Sequence, residues 1–248
     1  MTGTFPLLAA PRTSPFGKAP ATPRGGLAAI APLALYLGGG ALLRGAALSF
    51  SSDTLELRVA SALLAGALAL LFMALVERRK GRDPMATVGL RGPFAGALTR
   101  GVAVYLAALP LLALASAAGV RWFGSPRDPR IVPVFAGPGS PFGGPFLGLL
   151  VVLVAVPLVE EILFRGWLQG AAAARVGPGI AVPAVAFLWT VGHDPASRPA
   201  ILLLGLLLGF LYRRTGRLAA CVGVHGLHNA LVLFIGLPPP GLFEWTGA

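Results

Sequence analysis

Apolar residues run almost without interruption along this chain, and the residues that punctuate them are mostly Pro, Gly and Arg. The uninterrupted stretches lie at about 27–48, 57–76, 97–120, 146–173, 180–193, 199–213 and 218–236. Each stays apolar around the whole helical circumference, as a membrane span does and a surface helix does not. About 20 residues of helix cross roughly 30 Å of hydrocarbon. The pattern therefore predicts an all-α fold, a polytopic transmembrane helix bundle of about seven spans. The short fifth and sixth stretches widen that count to between six and eight.

The flanking segments read differently. Residues 1–26 carry five prolines with Arg12, Lys18 and Arg24 ahead of the first apolar run, which predicts a disordered basic tail and not a cleaved signal peptide. Residues 27–236 form the transmembrane domain, with its chemistry in 145–236. Residues 237–248 are a C-terminal tail in which Phe243 and Trp245 suit a membrane interface. Between Arg121 and Pro145, six prolines from Pro126 onward predict an irregular outer loop.

Composition agrees with the pattern. The 248 residues are 56% hydrophobic and only 12% charged, with mean hydropathy +0.79, far from the balance of a soluble domain. The net charge of +11 invites a nucleic-acid reading, but the basic residues sit between spans and not on one polar face. With the amino terminus in the cytoplasm, inner segments hold thirteen of the twenty Lys and Arg and outer segments six, Arg165 lying within a span. That bias predicts an N-in orientation and accounts for the excess without nucleic acid. Cys221 is the only cysteine, which excludes an internal disulfide and a Cys-based zinc cluster.

The scarce polar groups then become informative. Of nine acids, only Glu160 and Glu161 lie well inside an apolar run. An ionisable group at such depth costs roughly 2.5–3.5 kcal/mol on insertion scales, so it faces the bundle interior. Arg165, one turn beyond Glu161, offers a buried ion pair as the structural explanation for that residue. Glu160 has Phe164 at the corresponding position and lacks that explanation. The three histidines all lie downstream: His193 ends the fifth span, and His225 and His228 lie in the seventh. His225 and Asn229 are four apart and share a helix face, whereas His228 is turned by about 60° from His225.

Counting outward from the tight turn at 176–179, Glu160 and His193 reach similar depth, roughly 25 and 21 Å along their helices. His225 lies only about 12 Å from the turn near Arg217, so its helix must begin deeper or the site must lie closer to the cytoplasm. The polar "DPASRP" after His193 suits packed backbone or a wet cavity at membrane depth. A carboxylate, imidazoles, an amide and water together suit hydrolysis.

These residues resemble the CAAX protease and bacteriocin-processing family of intramembrane endopeptidases (CPBP, also called Abi). Its Glu-Glu-x-x-x-Arg motif is matched by Glu160, Glu161 and Arg165, and its His-x-x-x-Asn motif by His225 and Asn229. Its Phe-x-x-x-His motif is matched by "WTVGH", with Trp189 replacing Phe and His193 as the histidine. The resemblance covers about 145–236. It implies that Glu160 activates water with help from His193, that His225 and Asn229 donate to the oxyanion, and that Glu161, Arg165 and Trp189 support them. A rival arrangement puts zinc in the same pocket, with His193 and His225 as ligands and Glu160 as ligand or base. A zinc cofactor and a metal-free site both remain open at this stage.

The resemblance thus implies an intramembrane protease working among lipid on a lipophilic peptide or a membrane-protein substrate, and the compositional style points to a bacterial cytoplasmic membrane. Two other classes compete with it. A proton-coupled transporter also uses intramembrane Glu and His, and a noncatalytic bacteriocin-immunity-type protein would keep the fold without cleavage.

Overall fold

The structure, a computed structural model, describes residues 26–48, 55–124 and 145–235. The two tails and most of the expected outer loop lie outside the described residues. Among the described residues eight helices follow in order: α1 Gly26–Leu48, α2 Leu55–Arg79, the single turn α3 Pro84–Thr87, α4 Ala95–Phe123, α5 at 145–176, α6 Pro178–Val191, α7 Arg198–Thr215 and α8 Leu218–Ile235. There is no strand among the described residues. The seven apolar stretches fall in order on α1, α2, α4, α5, α6, α7 and α8. α4 runs to Phe123, so Arg121 is helical where a loop was expected.

Three helical stretches, 60–79, 95–123 and 146–176, are long and apolar enough to cross a membrane. Shorter apolar helices occupy 30–43, 178–191 and 218–234. α7 closes with Arg213 and Arg214 in its last turn. Together they make an all-helical membrane protein.

α5 is not a uniform α-helix. Val151–Ala155 and Ile162–Gln169 are π-helical, and the α-helical turn Val156–Glu161 lies between them. The first π segment ends at a missing donor. The Val156 N–H donates to the Val151 carbonyl, five residues back. In that register the next donor would be Pro157, which has no N–H to give to Val152. Asn229 of α8 donates its Nδ2 to the Val152 carbonyl instead, at 2.9 Å. The two helices lie close here, since a Cβ on Gly226 would collide with the Leu153 carbonyl oxygen.

Gly177, at φ 78°, separates α5 from α6 and joins them by the tight turn the sequence predicts. Beyond α6, the polar segment is an ordered turn. Asp194 Oδ1 accepts from the Ala196 N–H at 3.0 Å. Arg198 donates to the carbonyls of His193 and Val191, at 3.0 and 3.1 Å, closing the carboxyl end of α6. At the opposite end of the bundle, Glu77 is buried in the last turn of α2 and accepts from Arg82 at 2.7 Å and Lys80 at 3.3 Å.

Candidate active site

The site forms where the Glu-bearing turn of α5 meets the end of α6 and the middle of α8. The two adjacent glutamates point into different environments. Glu161 is fully buried and accepts from Arg165 Nη1 at 2.9 Å, with both side chains 0% exposed. It also faces His225 Nδ1 at 3.0 Å. Because a carboxylate accepts, that ring nitrogen carries the proton, and Nε2 is the remaining functional atom of His225. Glu160 is only half-buried, and its hydrogen-bond partners are neutral. The Trp189 indole N–H donates to Oε2 at 2.9 Å, and the Tyr36 hydroxyl donates to Oε1 at 3.4 Å.

Trp189 gathers the site. Its carbonyl accepts from His193 Nδ1 at 3.0 Å, which leaves Nε2 of a neutral His193 ring free to accept a proton. Its ring meets those of His193 and His225 edge-on, with centroids 5.0 and 5.2 Å away. The Arg165 guanidinium lies 4.2 Å from its centroid, and Arg165 Nη2 reaches the Gly205 carbonyl at 3.4 Å. The indole is therefore bonded to Glu160 as well as packed, and a Phe at this position could not make that bond.

Asn229, one turn beyond His225 on α8, is tied to the first π segment of α5. Its amide spends one N–H on Val152, and its second N–H and Oδ1 remain. His228 turns away, as the helical offset predicts. Its Nδ1 lies 3.0 Å from the Tyr105 hydroxyl of α4, and it touches none of the residues around Trp189 by hydrogen bond.

The depth conflict over His225 resolves through the start of α8. Leu218 is fully buried, and its side chain lies 3.6 Å from where a Cβ on Gly166 would stand. α8 therefore begins beside Gly166, ten residues inside α5 from Val176, or roughly 15 Å of helix. From that level His225 and Glu161 arrive together.

The rival zinc arrangement draws on His193, His225 and Glu160, and the two imidazoles are engaged through Nδ1. Among the described residues no three His, Cys, Asp or Glu side chains are grouped to hold a metal ion. Both oxygens of Glu160 accept from Tyr36 and Trp189, and one oxygen of Glu161 serves Arg165 and His225.

Tyr36 is the site residue that sequence reasoning missed. Its signal was a hydroxyl inside the apolar run of α1, but nothing local says which helix that hydroxyl meets. Residues 142–231 match the family model described as Rce1-like, type II CAAX prenyl endopeptidase, within the CPBP family that the motifs resemble. No curated protein and no solved structure matches the chain. The matched segment supplies every residue of the three motifs, while Tyr36 and Tyr105 lie outside it.

Proposed function

We propose, from the Rce1-like character of residues 142–231, that the protein is an intramembrane endopeptidase that hydrolyses a peptide bond in a membrane-associated peptide or protein. The observation that carries the reading is the gathering of Glu160, His193 and His225 around the Trp189 indole. Three polar side chains from α5, α6 and α8 are brought together at a cost that a purely structural bundle has no reason to meet.

Glu160, half-buried and without a cationic hydrogen-bond partner, takes a proton from water, and His193 Nε2 is the second acceptor beside it. The resulting hydroxide adds to the peptide carbonyl carbon. The oxyanion receives the unspent N–H of Asn229 and the Nε2 proton of His225. His225 donates there only as the doubly protonated ring, with Glu161 as its counter-ion at 3.0 Å. When the C–N bond breaks, Glu160 returns its proton to the departing amine, which restores the starting state. Glu161 and Arg165 hold the helix turn and the indole in place.

In the membrane, seven helices cross, with the amino terminus in the cytoplasm of a bacterial cell. The basic residues near the ends of α2 and α7 fit that side. The test compares purified wild type with Glu160→Gln on a library of lipophilic peptides, read by mass spectrometry. New amide cleavages are expected with wild type alone. Identical peptide profiles for the two proteins would remove the protease reading.

A further inference from the structure

The matched segment ends at residue 231 and begins at 142, yet one of the two donors to Glu160 comes from far outside it. We infer that Tyr36 of α1 and Trp189 of α6 form a two-sided neutral cradle that fixes the Glu160 carboxylate, so that both are positioning residues for the hydrolytic step. The inference rests on the reading of Glu160 as the base.

A carboxylate on an unbranched two-carbon stem has several rotamers, and water activation needs one of them. Here each oxygen has its own donor. The indole N–H meets Oε2 at 2.9 Å and the phenol meets Oε1 at 3.4 Å, so a turn of the carboxylate in either direction breaks a bond. Neither donor is charged, so neither neutralises the carboxylate as Arg165 does for Glu161. The indole is itself locked, being 2% exposed and packed against Arg165, His193 and His225.

Tyr36 is held by the hairpin of α1 and α2. A Cβ on Gly66 of α2 would stand 2.6 Å from Val159 Cγ1 and 3.6 Å from Tyr36 Cε2. The glycine thus lets α2 approach both the residue before Glu160 and the ring that reaches it. The amino-terminal half therefore takes part in the site, and the exchange of the family's Phe for Trp189 adds a donor that Phe lacks.

The experiment measures kcat and KM for Tyr36→Phe and Trp189→Phe in the full chain, beside Glu160→Gln. Hydrogen bonds to charged groups justify an expected fall in kcat of about tenfold for Trp189→Phe and roughly threefold for the longer Tyr36 bond, with KM unchanged. An indole N–H correlation spectrum supplies a readout that does not depend on turnover. The Trp189 resonance, assigned by its loss in Trp189→Phe, is expected to move in Glu160→Gln. Should Trp189→Phe fail to fold, Tyr36→Phe decides the kinetic part. Loss of activity in Glu160→Gln with wild-type kcat in the donor variants overturns the cradle alone, as does a loss confined to KM. Full activity of Glu160→Gln overturns the base assignment and the cradle with it.

Discussion

Replacing Arg165 with Met tests whether the buried pair beneath the site is held by charge. Arg165 and Glu161 are both 0% exposed and lie 2.9 Å apart. At an effective dielectric of about 20, two unit charges at that distance attract by roughly 6 kcal/mol, much of which is consumed by taking both ions out of water. Arg165→Met leaves the Glu161 carboxylate buried with only His225 beside it, and it removes the guanidinium from the Trp189 face. Losing one member of a buried pair costs about 3–5 kcal/mol, and the low end is expected here because the doubly protonated His225 ring still faces the carboxylate. Unfolding in mixed detergent and dodecyl sulfate micelles, followed by tryptophan fluorescence, measures this loss. The double variant Arg165→Met with Glu161→Leu removes the stranded charge and is expected to recover at least half of it. A single variant within about 1 kcal/mol of wild type, or a double variant no more stable than the single, refutes the argument, because the pair would then contribute no coupling.

Three further outcomes follow from named contacts. Asn229→Ala leaves the Val152 carbonyl unpartnered, so it is expected to cost about 1–2 kcal/mol in the same unfolding assay; with Pro157→Ala, which supplies a backbone N–H, the cost is expected to shrink, and equal costs in both backgrounds would contradict the proline explanation. His228→Ala, whose ring is bonded to Tyr105, is expected to lower kcat severalfold at most, whereas His225→Ala lowers it by 100-fold or more, on the scale of a lost oxyanion donor; equal losses would place both histidines in the same role. Chelation followed by buffer exchange is expected to leave peptide cleavage largely intact, since both Glu160 oxygens already accept from Tyr36 and Trp189; abolition with recovery on adding zinc would reverse that expectation.

Much of the site was legible because its cost is local. Glu160, Glu161, His193 and His225 stand out in an apolar chain whatever the helices do, and i to i+4 spacing alone pairs Glu161 with Arg165 and separates His228 from His225. Tyr36 was not legible, since its partner lies 124 positions away and no periodicity links α1 to α5. The π segments were equally hidden. Pro157 marks a missing donor, but whether the chain answers with a kink, a loop or a side chain from another helix depends on what packs there.

The apolar runs determined the helices, the membrane and the turn at Gly177, because hydrocarbon forces every backbone group to bond within its own segment. Which side chains met was decided only by packing. α8 begins at the level of Gly166, and Gly226 admits it against α5. Trp189 then turns its N–H to Glu160 and its carbonyl to His193. Such distances depend on the close approach of helices far apart in the chain, and a linear pattern carries no measure of that approach.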